Sequence, residues 1–507
     1  MKIVVKKRVP GLHKSEALVH LLFHNEAPGD FFGLPDEQTR KRMTAAIKNG
    51  DIRGGLYEVH VIYSDGPIRR ILLVGGGKRS EFNTDKLRGA YAKVARKLRE
   101  LNVGAFSTIM PPQKALSTEL QIMAEAMVEG AILGLYRFLP YKTDRKESTE
   151  DPQMMTIIAE NEVDVKAIKK TAEKARIVCE AVGYVRDLVS TPANDMTPTI
   201  LAGKALRMNG RHRMRVKVLD RPAMAKLRMN AILGVAQGSH EPPKFIVMEY
   251  SGANLQEKPI VLIGKGITFD SGGISLKPAE KMGEMKSDMA GAAVVLGILQ
   301  AVSQLKLPIL LVGLLPIAEN LPSGSAYRPG DVLTSMSKKT VEIVSTDAEG
   351  RLLLADALTY AQRFDPKAII DIATLTGACG IVFADLAVGM LGNDSALKQR
   401  LLESGYATGE RVWELPLWEE YGEMIKSDVA DLKNTGGREG GVITAAFFLS
   451  KFVGSYPWVH LDIASTAWIR KDRPYIPKGA SGIGVRLLVD VLIKEAASAA
   501  VKKSKNG

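Results

Sequence analysis

Two short glycine-flanked runs constrain this chain of 507 residues more than any other feature: GKGITFDSGGISLKP, residues 264–278, and STDAEGRLLLADAL, residues 345–358. Together with Asp288 they concentrate Lys265, Asp270, Lys277, Asp347, Glu349 and Arg351 where a chain ordinarily keeps neither carboxylates nor cations. The first run follows Pro259–Ile263, a short apolar stretch with β-branched residues that reads as a buried strand of an α/β sheet. Lys265 and Asp270 therefore fall at a strand's C-terminal end, where the loops leaving an open α/β sheet form a ligand crevice. Asp288 precedes the small and apolar run Met289–Leu296, and Asp347 and Glu349 precede the run Arg351–Ala361. Both runs predict helices, which puts these carboxylates near helix N-termini.

An acidic residue before a helix is ordinarily a cap or a dipole partner. Four carboxylates converging from neighbouring loops are a different matter, because they repel one another and lose solvation unless a cation neutralises them. A multivalent metal cluster is the simplest arrangement that holds them together. A lysine pressed between glycines beside carboxylates can lose its proton and ligate a metal, so Lys265 is either a ligand or an ordinary salt-bridged lysine, whereas Lys277 stays protonated. Other metal chemistries lack support: there is no HExxH or CxxC, and His13, His20, His24, His60, His212, His240 and His460 show no ligand spacing. An oxygen-rich site with almost no histidine favours Mn²⁺, Mg²⁺ or Zn²⁺. Four carboxylates and an amine suit two ions sharing one carboxylate, and paired ions activate water for hydrolysis.

These two runs and MGEMKSDMAGAA, with RDLVSTPANDMTP, DIATLTGA, NTGGREGGVITAAFFL and HLDIASTAW in order across residues 186–468, resemble the leucyl (cytosol) aminopeptidase family of two-metal exopeptidases. The resemblance implies Asp270 as the carboxylate shared by both ions, Lys265 and Asp288 as ligands of the tighter ion, Asp347 as a ligand of the more exchangeable one, and Glu349 as a second bridge. It implies Lys277 as the cation that polarises the scissile carbonyl, and Arg351 as the anchor of a bicarbonate that takes the proton from a metal-bridging water. Met285, Thr374 and Gly377 match the border of the pocket for the first side chain, with a leucine-like preference, although such residues also serve as plain core or turn. A substrate α-amine held by one ion restricts cleavage to the first residue of a peptide. The family further implies a homohexamer. Ser345 departs from the usual asparagine before TDAEGR, which leaves a hydrogen bond there to be made differently.

Length and order predict an α/β protein in which a smaller N-terminal α/β domain, residues 1–162, is joined by a linker helix, 163–190, to a larger C-terminal catalytic α/β domain, 191–507, with a mixed central sheet. MKIVVKKRVP is too short in apolar residues for a signal peptide and reads as a first strand. Strands are expected within 57–63 and 71–74, a helix over 84–101, an exposed charged connection over 141–151, and a frayed basic tail at the C-terminus. No run reaches the ~18 apolar residues that span a bilayer. Cys179 and Cys379 predict no disulfide framework, which makes a cytoplasmic location the default.

Net charge is +13, and residues 1–100 hold 20 Lys and Arg against 11 Asp and Glu. Without a nucleic-acid motif this excess reads as a solvated basic surface, with DNA binding through the N-terminal domain as the alternative. Gly264-Lys265-Gly266 lacks the third glycine of a dinucleotide fingerprint, and Gly75-Gly76-Gly77-Lys78 lacks the upstream glycine of a phosphate loop, so neither supports a nucleotide enzyme.

Overall fold

Apolar strands that are buried along their whole length require cover on both faces, and this chain builds two sheets, with such strands at the centre of the larger one. The computed structural model describes residues 1–8, 15–24, 37–111, 118–144, 149–253 and 257–506, with side chains up to Ser498. His13 and residues 145–148 of the charged connection lie outside the described residues. The chain divides into one unit of Met1–Glu180 with Lys471–Pro477, and a second of Ala181–Arg470 with Lys478–Gly507. The division falls inside a single helix, Glu162–Ser190.

The first unit holds β1 (Lys2–Lys7), β2 (Ala17–Leu22), β3 (Val59–Tyr63), β4 (Arg70–Gly75), β5 (Ala105–Ile109) and β6 (Met154–Ala159) in the order β1-β6-β5-β2-β4-β3. All neighbours are parallel except β3, which closes one edge antiparallel to β4. The helix Thr84–Glu100 buries Leu87, Tyr91, Val94 and Leu98, the spacing expected of one helical face, and Asn83 caps it by accepting from the Lys86 N–H at 2.9 Å. That face packs with Met123 and Met127 of the helix Leu120–Gly134 against Val19, Leu72 and Phe106 of the sheet. A smaller cluster around Met43, Ile71 and Leu73 covers the alternate strand positions.

The second unit is built on β7 (Met214–Leu219), β8 (Lys244–Ser251), β9 (Ile260–Gly264), β10 (Gly266–Asp270), β11 (Leu310–Asn320), β12 (Val332–Thr334), β13 (Thr340–Glu342), β14 (Ala368–Ala373), β15 (Val388–Gly392), β16 (Val412–Glu414), β17 (Leu432–Lys433) and β18 (Trp458–Asp462). Its nine-stranded mixed sheet runs β16-β15-β18-β14-β9-β11-β8-β7, with β10 also pairing β11. Val261, Ile263, Val312 and Leu314 share a core with Leu352, Leu354 and Leu358 of the helix Gly350–Ala361. Gly313, pointing the other way, lies under Val295 and Leu299 of the helix Ala290–Leu305. The stretch Met282–Leu305 is apolar and long enough by composition to cross a membrane, a feature the run-length reading passed over; 83% of its most apolar window is buried inside the fold, as befits a core helix. The C-terminal helix Val485–Asn506 continues where a frayed tail is expected. Cys179 and Cys379 are both buried and form no disulfide.

The position of the site follows from one break in a strand. β9 pairs with β11 through Ile263↔Leu314, and β10 resumes at Gly266↔Ile317, so Lys265 leaves the ladder between them. Its N–H donates to the Ile372 carbonyl at 3.1 Å and its carbonyl accepts from the Ala292 N–H at 2.8 Å. A second irregularity lies between Ile267 and Asp270, and such interruptions re-aim side chains.

The helix that follows Glu349 is anchored from within. Asp356, fully buried, accepts from the Met336 N–H at 2.7 Å and the Ile232 N–H at 3.0 Å. Asp356→Ala strands both donors, and we expect urea-unfolding midpoints to report a loss of about 2–6 kcal/mol, from about 1–3 kcal/mol for each buried group left unpaired.

Candidate metal centre

Lys265, Asp270, Asp288 and Glu349 are all buried, and their side chains meet at the C-terminal ends of β9 and β10. Lys265 Nζ lies 2.8 Å from Asp288 Oδ2 and 2.9 Å from Glu349 Oε1, and it donates to the Thr374 carbonyl at 2.8 Å. Lys277 Nζ lies 2.8 Å from Asp270 Oδ2 and also pairs with Asp347. Carboxylate oxygens of Asp270, Asp347 and Glu349 all fall within 4.8 Å of one another. Asp347 is the member that opens to solvent, its side chain being 38% exposed.

Two glycines make this approach possible. A Cβ at Gly350 would sit 2.6 Å from Lys265 Nζ, so only glycine lets the lysine reach Glu349. Gly272 has φ +89°, and a Cβ there would meet Asp347 Oδ1 at 2.9 Å. The two signature runs are then latched together: the Ser275 N–H donates to Thr346 Oγ1 at 2.7 Å, the Thr346 N–H donates to Ser275 Oγ at 3.1 Å, and Thr346 Oγ1 donates to the Gly272 carbonyl at 2.6 Å.

The electrostatics show a shortage of positive charge. Burial pushes Asp288 up to about 8 against the pull of Lys265, with Asp270 and Glu349 adding to the rise. Burial likewise raises Asp347 and Glu349, and Asp270 reinforces both shifts. Burial opposes the charge on each lysine, yet the carboxylates outweigh it and hold Lys265 and Lys277 well above the ordinary range. One ammonium cannot satisfy Asp288 and Glu349 together, so the deficit falls on the acids. Glu349 Oε2 is buried with no hydrogen-bond partner.

A pair of divalent ions fits this donor set. Oxygen ligands at ~2.1 Å from one ion stand up to ~4.2 Å apart, so carboxylates within 4.8 Å need only a small adjustment to share cations. Lys265 can join them as an amine once its proton is displaced.

Beside this cluster lies a cavity of about 790 Å³, lined by all the acids and lysines above and by Met285, Thr374 and Gly377. Leu375, Ile381, Ala464 and Trp468 add apolar wall, while Glu284 and Arg470 pair at 3.3 Å on it. Arg351 is not in the lining; it is buried, and its Nε and Nη1 lack hydrogen-bond partners. Burial lowers it to about 10, opposed by Glu349 and Asp462. Among the described residues no histidine joins the carboxylate group; His460 instead pairs with Asp371 at 2.6 Å in the core. At the departure from the family pattern, Ser345 Oγ accepts from the Asp347 N–H at 3.3 Å.

Several positioning roles are not legible from motifs, although Asp462 itself lies in HLDIASTAW. Asn320 Nδ2 donates to Asp270 Oδ1 at 2.8 Å and to the Thr346 carbonyl at 2.9 Å, and Tyr327 Oη donates to the same carbonyl at 2.8 Å. Asp462 accepts from the Leu375 N–H and from Thr376 Oγ1, which fixes the loop that carries Thr374. A polar residue closing a long apolar strand, as Asn320 closes β11, is the one other signal available.

Comparison with known proteins agrees with this geometry. The cytosol aminopeptidase family's catalytic domain matches residues 183–489, and its N-terminal domain matches residues 23–145. A probable cytosol aminopeptidase of Geotalea uraniireducens (strain Rf4) is 49% identical over 486 residues, covering 95% of this chain and 97% of that protein. One from Geobacter sulfurreducens is 48% identical over 459 residues, covering 90% and 92%. Among solved structures, the bottromycin maturation enzyme BotP superposes with a TM-score of 0.83 at 30% identity, covering 95% of this chain and 100% of that one; its complex with Mn gives 0.82. The chain therefore belongs to the cytosol aminopeptidase family, and its enzyme class is that of the metallo-aminopeptidases.

Proposed function

We propose that this protein removes the N-terminal residue from peptides using two divalent ions, Mn²⁺ or Zn²⁺, held by Lys265, Asp270, Asp288, Asp347 and Glu349. The observation that carries the reading is the meeting of four carboxylates and two lysines on the wall of one cavity, with too little positive charge to balance them. The ions, when bound, supply Lewis acidity and an ionised water at neutral pH. Asp270 lies between the Lys265 and Lys277 halves of the cluster, which suits it to serve both ions.

Lys277 acts as the electrophile. Its ammonium, kept charged by Asp270, can donate to a substrate carbonyl oxygen and hold the negative charge that develops there, an effect worth about 10²–10³ in kcat. Arg351 anchors a bicarbonate that serves as proton acceptor; two buried guanidinium nitrogens without protein partners support an anion at that place. Met285, Thr374 and Gly377, with Leu375 and Ala464, offer a largely apolar wall to the first side chain and support a leucine-like preference. The homohexamer rests on the family resemblance, and a cytoplasmic location on the two buried, unbridged cysteines. DNA binding has only the basic charge balance in its favour, and a solvated basic surface is the stronger account of that charge.

Hydrolysis of leucine amide tests the assignment. We expect a chelator to abolish it, Mn²⁺ to restore it, and Asp347→Ala to lower kcat/KM by about 1000-fold or more, the several kcal/mol of charge stabilisation that an ion supplies. A metal-loaded protein that releases no N-terminal residue from a mixed peptide panel would falsify the peptidase reading.

Loading must also expel protons. Lys265 carries a raised pKa and has to become a neutral amine, and Asp288, raised to about 8, is largely protonated near neutrality. Apparent Mn²⁺ affinity should therefore fall as pH falls, by about tenfold per pH unit for each proton released. Calorimetry in buffers of different ionisation enthalpy should register at least one proton per chain, and a buffer-independent heat would contradict Lys265 as a ligand.

A further inference from the structure

The loop between β13 and the helix Gly350–Ala361 carries both Asp347 and Glu349, and a remote side chain holds it from below. Asn434 follows β17, which pairs in parallel with β13 through Val341↔Leu432 and Glu342↔Lys433, and its own N–H donates to the Glu342 carbonyl at 2.9 Å. Its side chain is fully buried. Asn434 Oδ1 accepts from the Val344 N–H at 2.8 Å and the Ser345 N–H at 3.3 Å, and Nδ2 donates to the Ser345 carbonyl at 2.6 Å and the Ala348 carbonyl at 3.4 Å. These four bonds use the whole capacity of a carboxamide, and they allow only one orientation of it, oxygen toward the N–H groups and nitrogen toward the carbonyls.

Other backbone groups of that loop are held as well. Ile343 bonds to Asp331 and Gly330, Thr346 is held by Ser275, Asn320 and Tyr327, and the Asp347 N–H is taken by Ser345 Oγ. Backbone groups at the buried positions of such a segment, Ile343 and Thr346, need partners of this kind. Asn434 supplies the only side chain found bonding to the backbone on both sides of Thr346 among the described residues.

We infer that Asn434 is a positioning residue that sets the affinity for the ion served by Asp347, by fixing the backbone of residues 344–348 in the geometry that points Asp347 at Asp270. This rests on the two-metal reading above. Glycine, serine and aspartate each lack part of the four-bond pattern, and glutamine places the amide one methylene too far.

The test is Mn²⁺ binding to the full-length protein, followed by calorimetry and by the electron paramagnetic resonance of unbound Mn²⁺. Wild type should bind two ions per chain. Asn434→Ala should keep the tighter ion and bind the second about 10- to 100-fold more weakly, the usual penalty for losing a residue that orients a ligand. Its peptidase kcat should recover when Mn²⁺ is raised in proportion. Asn434→Ser, which retains one hydroxyl, should fall between the two and serves where the alanine variant unfolds. Asn393 makes bonds of the same kind, from its Nδ2 to the Tyr456 carbonyl and to its Oδ1 from the Trp458 N–H, on residues outside the cavity wall. Asn393→Ala should lower thermal stability and leave Mn²⁺ affinity unchanged. Equal affinity for the second ion in wild type and both Asn434 variants would overturn the inference, whereas a wild type that binds no second ion would overturn the two-metal reading and this inference with it.

Discussion

Four carboxylates crowded at one end of a buried sheet are the condition that the rest of the second unit serves. Asp270, Asp288 and Glu349 are almost wholly withdrawn from water, and two lysines are too few to neutralise them with Asp347. Such a group costs free energy in every state that lacks further positive charge. The fold tolerates it because the surrounding scaffold is stiff: both faces of β9, β11 and β14 are covered by apolar helices, and the strands are buried end to end. A site of this kind is preorganised by packing that has nothing to do with its chemistry.

The route from scaffold to site passes through backbone irregularity. Lys265 reaches the cluster because β9 and β10 are interrupted at that residue, and Gly350 leaves room for its side chain. Gly272 lets the first signature run turn back beside Asp347, and the Ser275–Thr346 latch joins that run to the second. Ligands from distant parts of the chain are thereby held by reciprocal bonds between backbone N–H groups and short hydroxyl side chains, which lose less entropy on ordering than long side chains spanning the same gap.

Much of this was legible in the residues. The buried strand before Lys265, the helix after Asp288 and the helix after Glu349 all appear at the places their periodicity indicates, as do the strands and helix of the N-terminal unit. The clustering of Lys265, Asp270, Lys277, Asp288, Asp347 and Glu349 followed from their loops leaving one sheet edge. What sequence order conceals is partnership across it. Asn320 is 50 residues from Asp270 and Asp462 is 86 from Thr376; Asn320 is marked only by closing an apolar strand and Asp462 only by its place in HLDIASTAW, and neither signal names the partner. The single helix over Glu162–Ser190 was readable from its pattern, but the grouping of Lys471–Pro477 with the first unit depends on tertiary contacts that no local signal carries.

Anomalous scattering from crystals soaked in Mn²⁺ tests the central claim most directly. The account predicts two peaks per chain, both in contact with Asp270, one bounded by Lys265, Asp288 and Glu349 and the other by Asp347 and Glu349. No peak among these groups, with the carboxylates bonded only to Lys265, Lys277 and backbone amides, would contradict it.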